Sequence, residues 1–147
     1  MRKLLAIACL GLLTTPAQAD TYAEFDPGLY AYSIQMEVMG TTTNEFEEDC
    51  ITEADRRITA QTIEEEMPGG VSCTYSDVIT SPNSVSATVD CYLSEEGMHV
   101  KGPSHATWTS TSFKLVIDGK IQMDELAAVG EIPAKMTIDG SRIGVCN

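Results

Sequence analysis

The sequence predicts a mainly β (α+β) domain: a curved, partly closed antiparallel sheet of about seven or eight strands, with one helix packed on it and two disulfides. Three observations predict it. Apolar and polar residues alternate in stretch after stretch, the period-two pattern of strands with one buried face. A single segment, Thr52 to Glu66, has helical spacing instead. Four cysteines remain once an export leader is set aside, an even number that in a small exported domain implies disulfides.

The leader is read at residues 1–19. Arg2 and Lys3 are followed by the apolar run Leu4 to Leu13 and the small-x-small motif Ala17-Gln18-Ala19, the layout of a secretory signal peptide cleaved after Ala19. A membrane-spanning helix needs about twenty apolar residues, more than this run supplies. A lipid anchor at Cys9 would leave almost no apolar region ahead of it. The mature chain is then residues 20–147, one domain, expected in the periplasm. Loss of Arg2 and Lys3 makes it two charges more negative than the −13 of the whole sequence. That charge disfavours nucleic acid and anionic membrane surfaces as partners, and no later apolar run is long enough to span a bilayer.

Pro27-Gly28 introduces the cleanest strand, Leu29 to Met39, with Tyr30, Tyr32, Ile34, Met36 and Val38 on one face. Gly40 to Asp49 reads as a polar loop with the acidic cluster Glu45, Glu47, Glu48 and Asp49. Thr52 is placed as an N-cap, with Glu53 and Asp55 in the first turn. Ile51, Ala54, Ile58, Thr62 or Ile63, and Met67 supply the stripe of a helix near 52–66. It ends before Pro68-Gly69-Gly70.

Next comes a β-hairpin from Cys73 to Cys91. Val85, Ala87, Val89 and Cys91 share one face of its second arm, and Cys73, Tyr75 and Ile79 one face of its first, with Asp77 and Val78 breaking the pattern. A three-residue loop at Ser81 to Asn83 matches apolar face to apolar face, whereas a two-residue loop would oppose them. The same register sets Cys73 opposite Cys91, close enough to bridge, which leaves Cys50 to pair with Cys146. On the loop-entropy model the two bridges contribute roughly 3 and roughly 5 kcal/mol.

Beyond the hairpin, Met98 to Lys101 is a short extended piece before a turn at Gly102-Pro103, and Ala106, Trp108 and Ser110 alternate along the next strand. Phe113, Leu115 and Ile117 form another apolar face. Asp118-Gly119 carries the composition of a two-residue hairpin turn, with Ile121 and Met123 beyond it. Leu126 to Glu131 reads as a loop or one helical turn, and Met136 and Ile138 lead to the closing strand.

In order and spacing these features resemble the domain of unknown function 3617 family of small exported bacterial proteins. The resemblance rests on Pro27-Gly28-Leu29-Tyr30, with Tyr30 where the family usually carries Trp. It rests also on Cys50-Ile51-Thr52-Glu53-Ala54-Asp55, Cys73-Thr74, Cys91, and Arg142-Ile143-Gly144-Val145-Cys146. It implies a periplasmic, β-rich, four-cysteine protein, and transfers no catalytic residue.

No GxSxG, HExxH, CxxC or phosphate-binding glycine loop occurs, and no motif calls for a cofactor. His99 and His105 flank Gly102-Pro103; a turn there would bring them together as a metal pair with Met98 or nearby carboxylates, against the plainer reading of two strand-edge histidines. Met36 and Met39 carry copper-binding thioethers, but three apart on a strand they face opposite ways, and Met36 reads as core. The acidic cluster lacks the spaced ligands and bend-forming glycine of a calcium loop. Tyr30, Tyr32 and Trp108 are candidate linings for an apolar ligand within a curled sheet, against the plainer reading that they pack the core. The expected function is a non-enzymatic periplasmic module that binds an apolar small molecule or an envelope partner. The alternative is a metal-binding or weakly catalytic protein built on His99, His105 and nearby carboxylates.

Overall fold

The computed structural model describes residues 22–58, 71–94, 97–126 and 128–146. The signal peptide expected at residues 1–19 lies outside them. Among the described residues nine strands run in chain order: β1 (Ala23–Glu24), β2 (Gly28–Val38), β3 (Thr41–Ile51), β4 (Arg57–Ile58), β5 (Val71–Ser81), β6 (Ser84–Leu93), β7 (Met98–Trp108), β8 (Ser112–Met123) and β9 (Ile132–Gly144). A 3₁₀ turn, Asp124–Leu126, follows β8, where the sequence suggested a loop or helical turn slightly later. Seven strands form one antiparallel sheet in the order β3-β2-β9-β8-β7-β6-β5, and β1 pairs with β4 in a small second sheet. The chain makes the β2–β3 hairpin, crosses to the far edge, and returns strand by strand until β9 lies against β2. Among the described residues the edge strands β3 and β5 do not pair with each other, so the expected partial closure is absent.

One face of this sheet is the core. Tyr30, Tyr32 and Ile34 of β2, Val85, Ala87 and Val89 of β6, Ala106 and Trp108 of β7, Phe113, Leu115 and Ile117 of β8, and Ile138 of β9 are buried on it. Phe25 and the β1–β4 pair close over one end, bringing Ala23 and Ile58 into the same cluster. The first strand is therefore apolar where expected as far as Ile34. Met36, read as core, is partly exposed, because the hairpin beyond Ile34 runs past the packed layer.

Residues Thr52 to Ile58 are not the start of a helix. The Asp55 amide donates to the Thr52 carbonyl, and Thr52 Oγ1 to an Asp55 carboxylate oxygen, which closes a turn. Arg57 and Ile58 then pair with Glu24 and Ala23 as a strand, and Arg56 bridges Glu24 and Glu53. Long-range pairing has overridden helical spacing here; the rest of the expected helix, 59–66, lies outside the described residues. No α-helix, and no helix long and apolar enough to cross a membrane, occurs among the described residues; this says nothing of a membrane-spanning barrel.

The supposed polar loop Gly40 to Asp49 is β3. It turns back from β2 at Met39-Gly40, whose φ angles of 53° and 78° are both positive, as a type I′ hairpin requires. The Cys73–Cys91 hairpin reaches its register by another route. Ser81 pairs with Ser84, leaving a two-residue turn at Pro82-Asn83, and a bulge at Asp77-Val78 then shifts the pairing by one. Proline holds φ near −65°, so this turn is not of the primed type. The bulge, with Asp77 at φ 54°, restores the face match that a two-residue turn alone would lose. Cys73 still faces Cys91.

Gly102-Pro103 and Asp118-Gly119 are not turns either. Both lie inside long strands, where Gly102 and Gly119 face one another so closely that a Cβ on Gly102 would run into the Gly119 Cα. Gly140 of β9 leaves room for the ring of Phe113 in the same way. These glycines serve close approach within strands.

Candidate functional site

Three of the segments that carried the family resemblance meet at one corner of the sheet. Arg142 Nε donates to the Pro27 carbonyl at 2.9 Å, and a side chain on Gly28 would collide with that guanidinium and with the Gly144 carbonyl. Leu29 pairs with Cys50 on one side and with Gly144 on the other, so the Cys50–Cys146 disulfide passes across the end of β2. The Tyr30 hydroxyl lies 2.9 Å from the Asp26 carbonyl and 3.0 Å from that of Ser110, and donates between them. The Asp26 amide and carboxylate in turn hold Ser110. This corner is a structural clasp that fixes both ends of the domain to the β7–β8 turn. The second disulfide, Cys73–Cys91, with a Cα separation of 4.0 Å, lies in the edge hairpin of β5 and β6.

Among the described residues the candidate aromatic lining is packed into the core. Tyr30 is 1% exposed and Trp108 7%. Phe25 and Phe113, outside the candidate lining, join Tyr30 and Tyr32 in an aromatic cluster. The Phe25 ring lies 6.1 Å from Tyr30 and 5.9 Å from Phe113, edge-on to both, and Phe113 is 6.3 Å from Tyr32, spacings of favourable ring packing. Phe25 stood outside any strand pattern, so periodicity could not find it. Burial raises the pKa of both tyrosines. At Tyr32 the hydrogen bond its hydroxyl donates to Glu47, at 2.8 Å, and the Glu47 and Asp49 charges raise it further. At Tyr30 the Asp26 charge adds to burial and Arg142 partly offsets it.

Nor are the histidines brought together. β7 runs straight through Gly102-Pro103, so His99 and His105 are separated by about 20 Å of strand. His99 stacks on Tyr92, and His105 Nδ1 lies 2.7 Å from Ser86 Oγ. Among the described residues no group of three His, Cys, Asp or Glu side chains is placed to hold a metal ion.

Among the described residues, recesses open at two places on the surface. One, of about 610 Å³, lies between Tyr22, Glu24, the Pro82-Asn83 turn and Trp108. The other, of about 530 Å³, lies on the open face of β3, β2 and β9. Register places Phe46, Ser33 and Asp139 side by side there, with Glu48, Ala31 and Ser141 in the next row. Phe46 is 80% exposed. The loop-like composition of its segment hides it in the sequence; the alternation of Phe46 with Glu45 and Glu47 is the available sign of a strand.

No curated protein and no solved structure matches this chain. The profile of a family described as "Protein of unknown function (DUF3617)" matches residues 25–146, from the first aromatic of the core to the last cysteine, and the chain belongs to that family.

Proposed function

We propose that this protein is a non-enzymatic, exported module of the bacterial periplasm that engages an envelope protein through the open flank of its sheet. The observation that carries this reading is Phe46, 80% exposed in an edge strand and beside a recess. An edge strand presents unpaired backbone groups that natural proteins normally shield, and an exposed aromatic beside them favours contact with another chain. Of the residues considered for an internal ligand site, Tyr30 and Tyr32 pack instead against Phe25 and Phe113.

A photo-crosslinking residue at position 46, compared with one at His105 on the same face away from the edge, tests this in the producing cell. A discrete envelope protein crosslinked from position 46 and not from 105 is the expected result. Equal labelling from both positions, or none from 46, overturns it. The recess beside Trp108 favours a second reading, capture of an apolar small molecule. Native mass spectrometry of protein taken from the periplasm would then show a retained organic mass that a Trp108→Ala variant loses.

A further inference from the structure

β3 divides into two halves. Every residue from Thr41 to Phe46 is exposed, as is Glu48, whereas Glu47, Asp49 and Cys50 are partly buried and Ile51 fully. Its carboxylates divide similarly. Glu47 accepts the Tyr32 hydroxyl, and Asp49 Oδ1 accepts the Cys50 amide. Glu45, on the opposite face from Phe46, and Glu48, on the same face, have no ion-pair partner among the described residues. No Lys or Arg occurs in β3. Phe46 and Glu48 are two residues apart, so they share the open face at a spacing of about 7 Å, while Asp139, farther in, is engaged by Lys114 at 3.4 Å.

A strand added to this edge must meet both an apolar ring and an uncompensated carboxylate. An acidic strand would set like charges against each other, within the field of a chain of net charge −13. A wholly apolar strand would cover Phe46 but take Glu48 out of water without a partner. A lysine or arginine satisfies both requirements, its aliphatic stem on the ring and its cation at the carboxylate. Main-chain hydrogen bonds to the edge then supply affinity, and the side chains choose the sequence.

We propose that the outer half of β3, Thr41 to Glu48, takes up an extended, Lys- or Arg-bearing segment of an envelope protein as an added strand, with a basic side chain lying over Phe46 and Glu48. This rests on the interaction-module reading above and specifies the partner's chemistry.

The probe is an eight-residue peptide alternating lysine and valine, titrated into the processed full chain and followed through backbone amide resonances. A glutamate–valine peptide is the charge-reversed control. The lysine peptide is expected to shift the amides of Thr41 to Glu48 and to weaken as salt rises. Phe46→Ser and Glu48→Lys, both at exposed positions, should each weaken it about three- to fivefold, the scale of one cross-strand pair or cation–aromatic contact. Unchanged urea midpoints in the two variants would show that the fold is intact. Binding of both peptides with equal affinity at β3 overturns the basic partner and leaves the docking edge standing. Lysine-peptide binding that ignores both substitutions, or that maps to β5, overturns the proposal. Absence of binding together with absence of a crosslink at position 46 removes both readings.

Discussion

The sheet ends in two edge hairpins that solve the same problem differently. In the β5–β6 hairpin the chain turns at Pro82-Asn83, corrects its register with a bulge at Asp77-Val78, and is stapled to itself by Cys73–Cys91. A bulge adds twist and makes an edge a poor template for further pairing. In the β2–β3 hairpin the chain turns through two positive-φ residues and pairs without interruption from Val38–Thr41 to Gly28–Ile51. Its disulfide is at the root, from Cys50 to Cys146, and leaves the outer half free of any crosslink. One edge is shut by covalent and backbone means. Among the described residues the other is guarded by carboxylates, which repel some partners and attract others.

The largest effect that could break this comparison comes from removing the bridges. Cys50–Cys146 spans 96 residues and Cys73–Cys91 spans 18. If both act by restricting the unfolded chain, Cys50→Ala with Cys146→Ala should cost about 5 kcal/mol and Cys73→Ala with Cys91→Ala about 3 kcal/mol. Urea unfolding of the two double variants at neutral pH measures the difference. A larger loss from the shorter bridge would mean that the stapled hairpin is held mainly by its disulfide and that pairing along β5 contributes little.

Alkaline titration separates the hairpins next. Tyr32 is buried on β2 beneath the β3 edge, and its pKa is raised by burial and by the hydrogen bond to Glu47; Tyr92, on β6, is raised by its hydrogen bond to Asp124 but lies at the surface. A raised pKa means that the folded state keeps a proton the unfolded state gives up. The contribution is therefore intact below the ordinary tyrosine value of 10.0 and is lost as the pH climbs above it. Stability should fall above pH 10, less steeply in Tyr32→Phe than in the parent chain, with Tyr92→Phe close to the parent. If Tyr92→Phe flattened the profile as much as Tyr32→Phe, the burial assigned to the β2 side would be wrong.

The two hairpins were also unequally legible in the sequence. Cys73, Cys91 and the alternation between them were enough to place the stapled hairpin and its bridge, even though the turn is one residue shorter than expected. The discrepancy was written at Asp77 and Val78, where the alternation breaks and the bulge lies. The β2–β3 hairpin gave a weaker sign, Phe46 between Glu45 and Glu47, since Met39 is a poor marker for a left-handed position and Glu45 to Asp49 has the composition of a loop. Edge strands are free to be polar on both faces, so hydrophobic periodicity cannot detect them. Gly102-Pro103 and Asp118-Gly119 misled in the opposite direction. Composition reports that a residue lacks a side chain, while only the neighbouring strand tells whether that lack serves a turn or close packing. The helix at Thr52 to Glu66 failed in its described part because Glu24 and Ala23 offered Arg57 and Ile58 a partner that local spacing could not foresee.

The smallest expected effect examines the turn chemistry itself. Both hairpins hold a non-glycine residue at positive φ, Met39 at 53° and Asp77 at 54°, but the two side chains tolerate it differently. A long aliphatic residue in this region clashes with its own carbonyl, at a cost of about 1–2 kcal/mol, whereas Asp and Asn relieve part of it through local hydrogen bonds. Asp77 is placed to do so, its carboxylate lying 3.4 Å from both Ser76 Oγ and Thr88 Oγ1. Met39→Asn creates the Asn-Gly pair that type I′ turns favour and should raise the stability of the β2–β3 hairpin by about 0.5–1 kcal/mol. Asp77→Asn should change stability by less than about 0.5 kcal/mol. Urea midpoints of the two variants, measured side by side, decide it. A neutral or destabilising Met39→Asn would show that this exposed methionine makes a contact worth keeping at the tip of the unstapled edge, and would extend the docking surface from Phe46 to the turn.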